Sequence, residues 1–175
     1  MFLDRMVNLM EEGIDVGIRI GELPDSNLKA LRVGYTRRVL CASPTYLQQH
    51  GTPSTPADLL NHTIISASSI SPSVDWKFNQ DNTLTSVRIK PRLTVTSNEA
   101  AIDVACTGFG ITRLMSYQLA PQLIAENLQI VLSDYELPAL PIHVIHREGR
   151  HKSARVRTFI DLIVERLRQH PGLIH

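Results

Sequence analysis

The residues best suited to chemistry form one short stretch, Thr96, Ser97, Asn98 and Glu99, ahead of apolar residues at helical spacing. A threonine followed three residues later by a glutamate is the capping-box pattern that begins an α-helix. The first turn of a helix has free N–H groups and positive potential, and it therefore suits an anion. The stretch predicts either an anion-binding helix terminus or simply a well-capped helix, and the sequence leaves both interpretations open.

Two other segments are placed to contribute to such a site. Arg19 and Ile20 end a predicted strand, where the guanidinium would form either a charge-assisted contact with an anion or an ordinary ion pair. Ser66, Ala67 and Ser68 lie at the end of another predicted strand, and the hydroxyls of Ser66 and Ser68 would contact a ligand or bond to their own backbone. We expect a ligand near both segments because α/β folds bind ligands at the carboxyl ends of their strands.

Other kinds of chemistry find no support. His143 and His146 are three residues apart on a predicted strand, so they point to opposite faces and cannot share a metal ion. The Gly108–Gly110 segment follows a predicted helix and lacks the third glycine of a dinucleotide-binding loop. Cys41 and Cys106 form no CxxC pair, and no GxSxG motif surrounds a serine. We therefore expect no enzyme activity, no metal and no cofactor.

The composition is that of an ordinary globular protein. Hydrophobic residues make up 43% of the 175 residues, and 18 basic residues balance 17 acidic ones for a net charge of +1. This balance lacks the basic excess with which proteins usually bind nucleic acid. No apolar run is long enough for a membrane span, and no signal-peptide layout is present, so we expect a cytoplasmic protein without membrane contacts.

Strand-like and helix-like segments alternate along the chain, which predicts an α/β fold. Alternating residues predict a strand over 14–20, and further strands are expected at 28–33, 36–42, 62–67, 91–95, 111–114, 128–132 and 142–147. Helices are expected over 3–13, 98–107 and 152–169, and Ser116 is expected to cap another. Residues 64–70 and 134–142 are the predicted crossings between two lobes.

The longest motifs resemble one family. Residues 6–62, MVNLMEEGIDVGIRIGELPDSNLKALRVGYTRRVLCASPTYLQQHGTPSTPADLLNH, are similar to the effector-binding domain of LysR-type transcriptional regulators. The segment TVTSNEAAIDVACTGFGITRLMSYQLAPQLIAENLQIVLSDYELPALPIHVIH and the closing KSARVRTFIDLIVERL continue the likeness. The resemblance covers nearly the whole chain in the family's usual order.

The resemblance implies an α/β fold of two Rossmann-like lobes, of periplasmic-binding-protein type II architecture, joined by two crossover strands. Lobe I would comprise residues 1–66 plus 142–175, with its first strand and helix absent, and lobe II residues 67–141. A small carboxylate or aromatic effector would bind between the lobes. The implied ligand-binding residues are Arg19, Ile20, Ser66, Ala67, Ser68, Thr96, Ser97, Asn98, Glu99, Thr112, Arg113, Met115 and Ser116.

The family pattern also implies partners and departures. Family members carry a DNA-binding helix-turn-helix and a dimerising helix that precede this domain, so we expect a homodimer or higher homo-oligomer that contacts DNA only through that missing part. An incomplete lobe I would leave an unpaired strand edge. Arg113 and Met115 replace a small residue and a proline, and Arg113 would either favour an anionic effector or lie on the surface. The alternative is a periplasmic-type solute-binding protein, which would need a signal peptide.

Overall fold

A computed structural model of the chain describes residues 13–23, 28–67, 74–147 and 154–174. These residues form two compact units. The first comprises the described residues up to Thr36 together with those from Ala139 onwards, and the second comprises Arg37–Pro138. The helix predicted over residues 3–13 and the ligand contact predicted for Ser68 lie outside the described residues.

The described residues contain ten strands and four α-helices. The strands are β1 (Val16–Ile20), β2 (Leu28–Thr36), β3 (Arg38–Ala42), β4 (Ile64–Ala67), β5 (Asp75–Gln80), β6 (Thr83–Arg88), β7 (Leu93–Val95), β8 (Ile111–Met115), β9 (Gln129–Val131) and β10 (Leu140–Arg147). The helices are α1 (Pro44–His50), α2 (Asn98–Cys106), α3 (Ser116–Ile124) and α4 (Ala154–Arg168), with 3₁₀ helices at Pro56–Asn61 and Ser133–Tyr135. None of these helices is long and apolar enough to cross a membrane.

The first unit is an antiparallel sheet of order β1-β10-β2 with helix α4 packed against it. Val144 of the central strand lies between Ile18 and Leu31 in register and is fully buried. The sequence predicts a break at Gly34, but β2 continues through this residue, which pairs with Ile142. The pairing register shifts between Ile142 and His143, next to Gly34, which has a positive φ angle. The two strands stay paired on both sides of this shift.

Helix α4 has an apolar face at the predicted helical spacing. Ile160 is buried against the sheet, and Val156, Ile163 and Leu167 pack beside it. Phe159, three residues after Val156, is nevertheless 52% exposed. The covered stripe includes Val164 instead, so the apolar face of the helix follows Val156, Ile160, Ile163, Val164 and Leu167.

The lobes predicted from the sequence divide the chain at different points from the two compact units. Strands β3 and β4, which the prediction assigns to lobe I, hydrogen-bond to β8 within the sheet of the second unit. The second boundary differs less, since the second unit ends at Pro138 and the predicted lobe II ends at Pro141. The division of the chain into functional lobes stays a prediction.

The second unit contains a five-stranded mixed sheet of order β7-β4-β8-β3-β9. Strand β4 is parallel to both of its neighbours, and β3 is antiparallel to β8 and β9. Residues alternate between two covered faces. Ile65, Val39 and Leu114 lie under α2 and α3, whereas Leu40 and Ile111 pack against α1, a 3₁₀ helix and the β5–β6 hairpin. We call these the helix face and the hairpin face.

A close approach explains the glycine that precedes β8. A Cβ atom at Gly110 would collide with the backbone carbonyl of Thr63, which accepts a hydrogen bond of 2.9 Å from the N–H of Ile111. Gly108, with φ of 86°, follows helix α2 in a backbone conformation that favours glycine. Gly108 thus follows the end of helix α2, and Gly110 lets β8 begin close to Thr63, the residue before β4.

Replacing Leu114 by alanine tests the central position of β8. Leu114 is fully buried in the cluster on the helix face, so Leu114→Ala should lower the free energy of unfolding by about 2–5 kcal/mol. Leu84→Ala is the matched control, since Leu84 is 61% exposed and its loss should cost less than about 0.5 kcal/mol. Urea unfolding followed by circular dichroism measures the free energy of unfolding of both variants. Equal losses would contradict the placement of Leu114 in the core.

Candidate functional site

One edge of the second unit's sheet gathers most of the residues predicted to bind a ligand. Because β4 is parallel to β7 and β8, the carboxyl ends of these three strands meet there. Ala67 ends β4 beside Val95, the last residue of β7, and β8 ends at Met115. Helices α2 and α3 begin just beyond this edge. We call it the carboxyl edge.

Helix α2 is capped by Ser97. Its backbone is extended, and its Oγ accepts a hydrogen bond of 3.0 Å from the N–H of Ala100. The prediction that Thr96 caps the helix, with Glu99 closing a capping box, is therefore wrong. The helix begins one residue later than that pattern requires, so Glu99 lies at the second helical position and cannot reach back to the cap. Its exposed carboxylate still lies in the first turn, where the helix dipole stabilises negative charge.

Polar groups near the carboxyl edge differ in burial. Ser66 is half-buried and Thr96 is exposed, so both can meet a ligand. Asn98, the first residue of α2, is buried. Thr112 is fully buried between Ile65 and Cys41, and its Oγ1 has no hydrogen-bond partner among the described residues. Thr112 therefore lies in the core of the helix face rather than on the surface.

Arg113 points to the hairpin face, opposite to Thr112. Its guanidinium lies over the indole of Trp76, with 4.5 Å from Cζ to the ring centroid. Nη1 makes a long contact of 3.5 Å to the carbonyl oxygen of Lys77. Burial, and secondarily the positive charge of Arg38, lowers the pKa of Arg113 to about 9. The structure therefore separates Arg113 from Thr112, although the two are adjacent in sequence.

The start of α3 is joined to the start of β3. The N–H of Ser116 donates to the carbonyl of Arg37 at 2.8 Å, and the N–H of Arg37 donates to Ser116 Oγ at 3.2 Å. Ser116 is thus the first helical residue and not the cap that the sequence predicts. The preceding Met115 is the cap residue, and its N–H donates to Oε1 of Gln118 at 3.1 Å. This N–H is satisfied by a glutamine reaching back, which the sequence analysis did not consider.

Arg19 and Ile20 belong to the first unit. They are both half-buried on β1, where Arg19 is opposite His143 and Ile20 is opposite Ile142. Ile20 packs against the core beneath α4. The structure therefore groups the predicted residues of the second unit along one edge and places Arg19 and Ile20 in the other unit.

Sequence reasoning missed Arg38. It lies on β3 two residues before the buried Leu40, so both side chains are on the hairpin face with Arg113. Burial lowers the pKa of Arg38. Arg37, the preceding residue, pairs instead with Glu136, whose Oε2 is 2.9 Å from Arg37 Nη1. Burial raises the pKa of Glu136, and Arg37 partly opposes this shift. Alternation of Arg38 with the apolar residues of β3 was the available signal.

A family model for the LysR substrate-binding domain matches residues 2–168. The chain belongs to this LysR substrate-binding family. Such domains are the effector-binding, regulatory parts of LysR-type transcriptional regulators and are not catalytic. The family also confirms the predicted α/β fold of periplasmic-binding-protein type II architecture. The described residues hold no group of three or more His, Cys, Asp or Glu side chains placed to bind a metal.

Similar proteins include both regulators and solved regulatory domains. The LysR domain is 31% identical over 155 residues to an uncharacterized HTH-type transcriptional regulator of Haemophilus influenzae, covering 89% of this chain and 54% of that protein. It matches the full-length Vibrio cholerae virulence activator AphB with a TM-score of 0.81 and 26% identity, over 95% of this chain and 56% of that one. The regulatory domain of CrgA from Neisseria meningitidis matches with a TM-score of 0.77 and 27% identity, over 92% of this chain and 79% of that one. The chain spans about half the length of the curated relatives it matches.

The cap of α2 in this LysR domain can be tested by alanine substitution. Ser97→Ala removes the acceptor for the N–H of Ala100 and should lower the free energy of unfolding by about 1 kcal/mol. Thr96→Ala, the matched change at the neighbouring exposed residue, should alter it by less than about 0.5 kcal/mol. Urea titration compares the two variants, and a larger loss for Thr96→Ala would restore the capping box predicted from sequence.

Proposed function

We propose that this domain binds a small anionic or aromatic effector at the carboxyl edge of the second unit. The observation that supports this most strongly is the position of the α2 N-terminus beyond the adjacent ends of β4 and β7. The first turn of a helix offers the positive end of the helix dipole to a carboxylate. The proposed contacts from this unit are Ser66, Ala67, Thr96, Ser97, Asn98, Glu99, Met115 and Ser116, with Thr112 supporting them from within the core.

Residues outside this edge complete the proposal. Arg19 and Ile20 of the first unit, and Ser68 outside the described residues, are proposed contacts because of the family pattern. Arg113 belongs to the proposed site through its charge on the hairpin face. Within the whole regulator, effector binding would shift the population between two states of the domain, and a homodimer or higher oligomer would carry that change to DNA-binding domains. Such a regulator would act in the cytoplasm.

The periplasmic solute-binding alternative is not favoured. The relatives and solved structures described above are transcriptional regulators, and the matched family is their effector domain. A solute-binding protein would share the architecture, but its relatives would be expected to be solute-binding proteins as well. Regulation by a small molecule is therefore the function that the fold and its relatives support together.

Benzoate is a suitable first probe, because it joins a carboxylate to an aromatic ring. It should raise the melting temperature of the 175-residue chain progressively as its concentration increases, since a ligand that binds only the folded state stabilises it by mass action. Benzamide, a neutral molecule of the same shape, should have a much smaller effect if the α2 N-terminus holds the carboxylate. Thermal-shift titrations measure both, and equal effects of the two probes would contradict the electrostatic part of the proposal.

A charge variant locates the carboxylate. Glu99 places a negative charge in the first turn of α2, so Glu99→Gln should strengthen benzoate binding about twofold to fivefold, as expected for about 0.3–1 kcal/mol at a helix end. Glu165→Gln removes the same charge from an exposed position on α4 and should leave binding unchanged. Equal responses in the two variants would place the benzoate elsewhere.

A further inference from the structure

Two arginines lie diagonally across neighbouring strands on the hairpin face of the second unit. Arg113 is directly opposite Leu40 in the β3–β8 ladder, and Arg38 lies two residues before Leu40. Because side chains alternate along a strand, both guanidiniums are on the same side of the sheet. Like charges on neighbouring strands repel each other, and partial burial increases that repulsion. This arrangement needs a compensating negative charge.

The described residues do not supply that charge to Arg38. The Nε atom of the Arg38 side chain is buried without a hydrogen-bond partner among these residues, and burial lowers the pKa of Arg38 with no carboxylate opposing the shift. Glu136 lies in the same recess, but its Oε2 is engaged by Arg37, and its Oε1 is buried and unpartnered. Among the described residues that line this recess, Glu136 holds the only carboxylate, and Arg37 is already paired with it.

Arg113 is positioned by its surroundings rather than neutralised by them. Trp76 stacks against its guanidinium, and the contact to the Lys77 carbonyl is long at 3.5 Å. Cation–π stacking and a weak hydrogen bond hold the group in place but leave its charge uncompensated. The lowered pKa of Arg113 agrees with this, since burial and the nearby charge of Arg38 both disfavour its charged form.

The two arginines open onto a small recess. Arg38, Arg113 and Lys77 contribute positive charge to its wall, Glu136 contributes negative charge, and Tyr135 and Leu137 form an apolar side. The recess has room for about one water-sized group, so it suits the oxygen atoms of an anionic group while the rest of the ligand stays outside.

We infer that Arg38 and Arg113 form an oxyanion site for a small carboxylate. Two guanidiniums present planar arrays of N–H donors that match the oxygens of a carboxylate, and the anion would satisfy Nε of Arg38 and separate the two positive charges. This inference names the ligand class of the proposed effector and rests on that function for its biological meaning. Whether succinate binds to these two arginines does not depend on whether benzoate binds at the N-terminus of α2.

The lone tryptophan reports on this site directly. Trp76 is the only tryptophan in the chain, is nearly fully buried and touches the guanidinium of Arg113. Succinate, which does not absorb where tryptophan is excited, should cause a saturable change in Trp76 fluorescence when it replaces sodium chloride at constant ionic strength. Phosphate is the second arm: a weaker response than that to succinate supports a carboxylate site, and a stronger one overturns the assignment to carboxylates.

Variants separate the site from general charge effects. Arg38→Gln keeps the Trp76–Arg113 contact and should weaken succinate binding at least tenfold. Arg38→Lys keeps the positive charge but loses the planar array of N–H donors, so it should weaken succinate binding less. Arg166→Gln removes the same charge from the exposed end of α4 and should bind succinate normally. Circular dichroism melts confirm that each variant is folded, and Arg38→Lys decides the outcome if Arg38→Gln unfolds.

The outcomes are distinct. Saturable binding of succinate that is lost in Arg38→Gln and kept in Arg166→Gln supports the site, even if benzoate fails to bind at α2. A linear response that sodium chloride reproduces, or an equal loss in Arg166→Gln, overturns it. Succinate binding that is unchanged in Arg38→Gln also overturns it, while leaving the proposed effector function in place.

Discussion

The parallel register of three strands is the constraint on which the candidate site depends. Strand β4 pairs in parallel with β7 on one side and β8 on the other, so all three strands end at the same edge. The chain must then turn away from that edge, and it does so into helices α2 and α3. The first turn of α2 and the last residues of β4 meet for this reason alone. The close approach at Gly110 helps to hold β8 in this register.

The two faces of this sheet give its edge two chemical characters. The helix face is apolar and nearly neutral, and the fully buried Thr112 lies within it. The hairpin face carries Arg38 and Arg113 close to a large apolar cluster that includes Trp76 and Phe78. Charge placed beside apolar residues is costly unless it is compensated. A binding site with positive charge on one face and helix N–H groups at its edge would favour carboxylates, and this is consistent with a regulatory domain of the LysR family.

The sequence predicted the alternation of strands and helices well, because periodicity in β4, β8, α2 and α4 follows directly from burial. It did not predict the details that depend on three-dimensional pairing. Thr96 and Ser97 both have side chains able to cap a helix, and only the start of α2 distinguishes them. Alternation along β3 places Arg38 on one face of the sheet, but only the register shows that it lies near Arg113. The division into two compact units also depends on strand pairing, since β3 is next to β2 in sequence but pairs with β8.

Amide chemical shifts measured during a titration with benzoate and then with succinate give the most direct test of binding at this edge. We expect the largest shifts at Ala67, at the first turn of α2 and at Ser116, with succinate also shifting the amides of Arg38 and Arg113. Helix α4, which holds none of the proposed contacts, provides an internal reference whose amide shifts should be the smallest. Shifts concentrated on α4, or spread evenly over the chain, would contradict a small-anion site at the carboxyl edge.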